Sequence, residues 1–413
     1  MPARFMFTPV LPPFAGADQN EGVVSGYIER LESLGGTRGG AADYANRVPL
    51  LMLIATGGTE GAALELLAQR EADVPAEPVL LLAHPGNNSL PAALELLARL
   101  HQDGKAGRIV YLRGLDDESG WESLERALHD ASVRVALHAA RIGMVGAPSD
   151  WLVASSPEPS VVTDTWGPEI VYVAMEELTA AMDAVGDNEA ATPADALTNG
   201  ADDLVEPASA DLTEAARVYT ALRNVVRERR LDALTVRCFD IVIQRNTSGC
   251  FALSELTDVG VIAGCEGDIV STVGMLWANL LTGEVPWMAN PSDLDEQENA
   301  LWLAHCTVPR TMLKSYSLRS HFESGVGVGI QGTLPKGPAT LLRIGGALMD
   351  ELWLAEGDLT DVGDKENLCR TQARIALSRG DVRDLLTAPL GNHIVLVRGH
   401  HGDRLAEWWE TML

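Results

Sequence analysis

The sequence predicts an α/β protein with two N-terminal domains on parallel sheets and a β-rich, barrel-like C-terminal domain. Three observations carry that reading. From Arg47 to about Gly146, short apolar runs alternate with helical patterns, which implies a parallel sheet wrapped on both faces. A second alternation begins near Arg141. Beyond Leu301, short apolar runs follow one another with only Gly, Pro and Asp between them, as expected for antiparallel strands in a barrel or sandwich. At roughly 150 residues per domain, the 413 residues accommodate domains at 1–146, 147–300 and 301–413.

In chain order, Val48–Ala55 (VPLLMLIA) reads as a buried strand, Thr56–Thr59 as a turn and Glu60–Gln69 as a helix. Val79–Ala83, the turn His84–Asn88 and Leu90–Leu100 repeat the unit. Arg108–Leu112 and a helix from Trp121 follow. Loops at the C-terminal ends of such strands are where ligands bind in open α/β sheets. Asp183–Asp211, rich in Ala, Asp, Asn, Pro and Gly, has little hydrophobic period and reads as a solvated, mobile excursion. Leu212–Arg229 then predicts an amphipathic helix, Leu234–Cys238 and Val259–Ala263 strands, and Ile269–Leu281 an apolar helix. The last segment, Asp403–Met412, is helical by pattern.

Lys+Arg is 31 against Asp+Glu 58, a formal charge of −27. Such a surface repels nucleic acid and anionic membrane and favours a small-molecule substrate, including one held through a cation. The five cysteines (Cys238, Cys250, Cys265, Cys306, Cys369) are odd in number and contain no C-x-x-C, which points to a reduced, cytoplasmic setting rather than a disulfide framework. Met1–Phe14 lacks the continuous apolar core of a signal peptide, and no uncharged run spans a bilayer. Gly327-Val-Gly-Ile-Gln-Gly332 matches G-x-G-x-x-G in letters. It is followed by Pro335 and Pro338 rather than a helix, so its glycines read as close-packing positions and not as a dinucleotide fingerprint.

Three segments place polar groups in apolar settings. Leu234–Asp240 reads as a strand ending in an acid. Val261–Asp268 is a strand ending in Glu266 and Asp268. Pro389–Val397 carries His393 at the mouth of a strand. Acids at the ends of adjacent parallel strands converge on one crevice. Two carboxylates and an imidazole suit a hard or borderline divalent ion such as Mn²⁺, Mg²⁺ or Co²⁺. Each residue also has a structural reading: Asp268 as the cap of the following helix, Asp240 as a turn acid and His393 as a hydrogen-bonded core histidine.

At these segments the chain resembles the L-fucose isomerase/L-arabinose isomerase superfamily, in particular its short fucose isomerase-like members. The resemblance rests on Arg237–Asp240, Gly264–Asp268, Leu281–Pro291, Leu303–Pro309, Gly391–His393 and Gly399–Asp403 in that order. It implies a metal-dependent aldose–ketose isomerase working through a cis-enediol, with Asp240, Asp268 and His393 holding Mn²⁺ or a similar ion. Asp240 stands where L-fucose isomerase has Glu, one methylene longer. The resemblance also implies a homo-oligomer, trimer or hexamer, around shared clefts, to which Thr56–Thr59 and Asn87–Asn88 could contribute.

In that chemistry the ion stabilises charge developing on the sugar oxygens, while carboxylates carry the proton between C1 and C2. Asp240 and Asp268 are assigned both roles, with Glu266 as alternate acid or support. His305 and Arg237 are further substrate-binding candidates. Core positions are the alternative for His305 and for Trp277, Trp287 and Trp302, and pairing with an acid is the alternative for Arg237. Two rivals remain: an isomerase of a modified or anionic sugar such as a 6-deoxy-6-sulfo hexose, served by Arg245, Arg310 or Arg319, and a non-catalytic sugar-binding protein on the same scaffold.

Overall fold

The computed structural model describes residues 4–11, 17–75 and 77–413, with side chains described outside 17–23. The chain forms two compact units, one running to Ala139 and including Glu407–Leu413, the other Ala140–Ala406.

The first unit contains β1 (Phe5–Val10), α1 (Ala17–Ser33), β2 (Gly36–Arg38), β3 (Leu50–Ile54), α2 (Glu60–Asp73), β4 (Val79–Ala83), α3 (Ser89–Gln102), β5 (Gly107–Tyr111) and α4 (Glu118–Ala139). Its sheet is parallel in the order β2-β1-β3-β4-β5. The unbroken apolar run of β3 follows from burial on both sides. Leu51 and Leu53 join one core with Leu80, Leu82, Trp121 and Leu124, while Leu50, Met52 and Ile54 join another with Leu67, Leu81 and Leu96. Alternate side chains of a strand point to opposite faces, so one strand feeds both cores. The N-terminal segment, read above only as lacking a leader, supplies β1 between β2 and β3; its residues 1–3 and 12–14 lie outside those described. Trp408 is fully buried in this unit and donates from Nε1 to the Asp130 carbonyl at 3.1 Å.

The second unit opens with β6 (Arg141–Val145), α5 (Pro159–Trp166), β7 (Glu169–Val173), α6 (Met175–Ala184), α7 (Asp187–Asn199), β8 (Asp203–Leu204) and α8 (Ser209–Arg229). It continues through β9 (Ala233–Val236), α9 (Cys238–Arg245), α10 (Cys250–Asp258), β10 (Ile262–Gly264) and α11 (Ile269–Thr282). Then come β11 (Trp287–Asp295), β12 (Ala300–His305), β13 (Ser315–Arg319), β14 (Gly329–Thr333), β15 (Gly337–Gly345), β16 (Glu351–Val362), β17 (Thr371–Arg379), α12 (Asp384–Thr387), β18 (Ile394–Arg398) and the start of α13 (Gly402–Met412), which from Glu407 on belongs to the first unit. A parallel sheet runs β10-β9-β6-β7, and a closed antiparallel barrel runs β11-β12-β17-β16-β15-β18. The α/β-plus-barrel architecture is therefore present, with the barrel starting at Trp287, before Leu301.

Helix α11 is apolar on nearly all sides because it lies between layers. Its Gly274 approaches Leu342 and Ile344 of β15 and Val395 of β18. Its Trp277 stacks edge-on against Trp166 at 5.6 Å, and Trp277 and Trp287 are both fully buried, which is the core reading of these two tryptophans.

Two expectations are corrected. The segment 183–211 is not an excursion but carries α7, whose Ala190, Ala194 and Leu197 are buried at helical spacing, and β8, which pairs with β13. Alanines contribute so little to hydropathy that the stripe is faint in the sequence. The strand expected over Leu234–Asp240 ends at Val236. The apolar run beyond it belongs to α9, with Ile241 buried and Ile243 80% exposed. As expected, Gly327 is a close-packing position: its φ is +63°, and a Cβ there would lie 2.3 Å from the Ser248 nitrogen.

Candidate functional site

Three loops gather at the C-terminal edge of the second parallel sheet: 146–151 after β6, Arg237 after β9, and Cys265–Asp268 after β10. The barrel contributes His305 at the end of β12 and His393 in the turn before β18. Of the acids expected at the strand ends, Glu266 and Asp268 are thus brought to His393 of the barrel.

The loop after β10 is tightly specified. Glu266 adopts φ +62°, a left-handed conformation uncommon for a residue with a Cβ. The Ser149 nitrogen donates to its carbonyl at 2.9 Å, and the Trp151 indole donates to Glu266 Oε2 at 2.6 Å. Gly267 follows at φ +73°, where a Cβ would lie 2.6 Å from the Ala147 carbonyl oxygen. Gly267→Ala is expected to destabilise the second unit by about 1–3 kcal/mol, read as a lowered urea midpoint; an unchanged midpoint would show that the loop relaxes freely.

His393 is fully buried and sits between two carboxylates. Its Nδ1 lies 2.8 Å from Asp268 Oδ2 and its Nε2 lies 3.8 Å from Glu266 Oε1. An ionised carboxylate can only accept, so Nδ1 carries a proton, and in the neutral ring that leaves the lone pair on Nε2. That Nε2 is buried and has no hydrogen-bond partner. His305 packs edge-on to His393 with ring centroids 5.7 Å apart, and its Nδ1 lies 2.8 Å from Thr307 Oγ1. Burial, reinforced by the neighbouring His393, lowers the His305 pKa to about 3, so its ring is neutral.

Among the described residues, Glu266, His305 and His393 form a group whose ligand atoms all lie within 4.8 Å of one another. One carboxylate and two imidazoles suit a borderline divalent cation, and the unpartnered Nε2 of His393 is the donor such an ion would satisfy.

The other expected residues are placed as follows. Asp268 is fully buried and caps α11, accepting from the Ser271 nitrogen and hydroxyl at 2.8 Å each and from Arg343 Nη1 at 3.3 Å. Burial alone would raise its pKa, but attraction to Arg343 and the His393 hydrogen bond outweigh it and hold the carboxyl well below the usual range. Asp268 thus meets His393 through the ring nitrogen opposite the Glu266–His305 side, and its capping reading holds as well. Asp240 lies in the first turn of α9, where it accepts from Arg237 Nε at 3.1 Å. Arg237 also pairs with Asp150 at 3.2 Å, so the fold ties it to two acids.

Beside Glu266 lies an open cavity of about 310 Å³ lined by Trp151, Phe239, Glu266, Asn290, Glu323 and Asn392. Trp151 meets Phe239 edge-on at 5.0 Å, and Phe239 meets His321 at 5.5 Å. The arginines considered for an anionic sugar are engaged elsewhere: Arg245 with Asp183, Arg310 with Glu255 and Tyr316, Arg319 with Glu206 and Glu366. Trp151, Arg343, Asn290, Glu323 and Asn392 had no role in the sequence-based assignment, although Asn290 and Asn392 fall within the motif segments Leu281–Pro291 and Gly391–His393. Arg343 also carried a signal, a charge inside the apolar run Leu341-Leu342-Arg343-Ile344. In the first unit, Gly57 donates to the Asn87 carbonyl at 2.8 Å, and Asn87 and Asn88 take positive φ, which is turn chemistry for those two loops.

No family model matches the chain. The similarity is to sulfoquinovose isomerases. The chain is 24% identical over 204 residues to that of Priestia aryabhattai, covering 48% of this chain and 46% of the other. It is 29% identical over 136 residues to that of Alkalicoccus urumqiensis, covering 32% and 31%. It is 23% identical over 282 residues to that of a Clostridium species, covering 65% and 62%. The match with the first of these thus spans about half the length of that relative. None of the described helices is long and apolar enough to cross a membrane.

Proposed function

We propose that the chain is a metal-dependent aldose–ketose isomerase acting on a sulfonated hexose of the sulfoquinovose kind. The observation that carries the reading is the buried Glu266–His305–His393 group, in which the unpartnered His393 Nε2 faces Glu266 across 3.8 Å and Glu266 lines an open cavity. The relatives' name supplies the substrate class, and sulfoquinovose isomerase falls in the superfamily that the motifs resemble.

Glu266, His305 and His393 would hold the ion. When bound, a divalent cation such as Mn²⁺ supplies Lewis-acid stabilisation of negative charge on the sugar oxygens. Asp268 keeps His393 in the tautomer that presents Nε2. The Trp151 indole fixes one oxygen of Glu266 and leaves the other turned to His393. Glu323 on the cavity wall, and Asp240 next to the wall residue Phe239, are the carboxylates assigned to take and return the proton between C1 and C2. Trp151 and Phe239 offer apolar faces to sugar C–H groups.

A second reading, isomerisation of a neutral aldose, is favoured by the cavity lining. Two amides and two carboxylates match hydroxyls, and no arginine or lysine is among the described residues that line it. Incubating the protein with Mn²⁺ in D₂O separates the readings. Ketose formation with deuterium uptake at C1 or C2 from sulfoquinovose, at least tenfold faster than from neutral aldoses, is the expected result. The reverse preference selects the neutral sugar, and no exchange with either overturns the isomerase reading.

A further inference from the structure

Beneath the turn that carries His393 lies a guanidinium that this reading does not use. Arg343 projects from β15 and is 2% exposed. Its Nη1 donates to Asp268 Oδ2 at 3.3 Å and to Ser271 Oγ; its Nη2 donates to Ser155 Oγ at 2.6 Å; its Nε donates to the Leu390 carbonyl at 3.3 Å. Four partners on three separate elements thus converge on one planar fork, a geometry lysine cannot reproduce. The turn above has been cleared to fit it. Gly391 sits at φ +149°, and a Cβ there would lie 2.2 Å from Arg343 Nη2. The guanidinium therefore touches both ends of the support for the imidazole: the carboxylate that accepts from its Nδ1, and the backbone of the turn that bears it.

We propose that Arg343 is a positioning residue, which fixes the Asp268 carboxylate and the 390–393 turn so that His393 is locked with Nδ1 protonated and Nε2 turned toward Glu266 and His305. The consequence for cation affinity rests on the isomerase reading; the consequence for the tautomer does not. Partners of this kind behind a ligating histidine are typically worth about 10–100-fold in metal affinity.

The test uses the full chain without metal, labelled with ¹⁵N-histidine, and then titrated with Mn²⁺. In the wild type, the buried His393 is expected to show a protonated Nδ1 and an unprotonated Nε2, identified by loss of its signals in His393→Gln. In Arg343→Met the two nitrogens are expected to average toward mixed tautomers and Mn²⁺ affinity to fall about 10–100-fold. Arg343→Lys keeps the charge without the fork and is expected to fall between. Should Arg343→Met not fold, Arg343→Lys decides: an unchanged tautomer overturns the proposal, and a mixed one supports it. A variant that lowers only the melting temperature, with wild-type tautomer and affinity, overturns it too. If the wild type binds no Mn²⁺, the metal reading fails and the tautomer alone decides the role of Arg343.

Discussion

His393→Ala is expected to lose Mn²⁺-dependent ketose formation by on the order of 10³-fold, with Mn²⁺ binding by calorimetry reduced in parallel. The physical basis is that Nε2 of His393 is buried without a hydrogen-bond partner and lies 3.8 Å from Glu266 Oε1 within the Glu266–His305–His393 group. Truncation removes that donor together with the proton that Asp268 accepts. The far-UV spectrum should be retained, because the turn stays anchored through the Leu390 carbonyl to Arg343. Activity within tenfold of wild type would place the chemistry elsewhere. His393→Gln, which keeps bulk and a hydrogen-bonding tip, should be no better as an enzyme and measurably more stable.

The largest stability effect should come from Asp268→Ala. This side chain joins a helix N-terminus, an arginine and a histidine in a volume that excludes water. Removing it leaves the buried Arg343 charge uncompensated, a loss of about 3–5 kcal/mol for a buried pair broken on one side, and it deletes a cap worth about 1 kcal/mol. Urea unfolding followed by tryptophan fluorescence reads the sum, and a change below about 1 kcal/mol would show that water reaches the pair. The pH dependence has a definite sign. The folded pKa of Asp268 is depressed, so its stabilisation is complete above the unfolded value near 4 and is lost as the pH falls below it. The difference between wild type and variant should therefore shrink on acidification from neutral pH.

The α/β layers, the barrel and the helix after Asp268 were legible because burial on both faces writes continuous apolar runs and antiparallel strands write short, punctuated ones. Other elements were hidden for identifiable reasons. Helix α7 buries alanines, whose spacing carries little hydropathic contrast. The first turn of α9, Cys238–Asp240, reads as the end of the preceding strand because Phe239 continues its apolar run, and only the structure shows that the helix starts at Cys238 and leaves Ile243 exposed. Within the site, sequence patterns indicated which polar residues sit at strand ends but not which atoms face one another. Spacing cannot say that Asp268 contacts Nδ1 of His393 while Glu266 faces Nε2, because that choice depends on the turn at Gly391 and the left-handed backbone of Glu266. Trp151 carried no signal because a lone indole on a loop has no periodic pattern, and Asn290, on β11, carried none that marks it as a cavity residue.

The residues of the candidate cation group come from positions 266, 305 and 393, one after a strand of the parallel sheet and two from the barrel. During synthesis residue 393 emerges from the ribosome well after residues 266 and 305. Cation uptake at the full group would therefore wait until residue 393 has emerged, and truncations short of residue 393 should accumulate as ion-free protein however well their earlier layers fold.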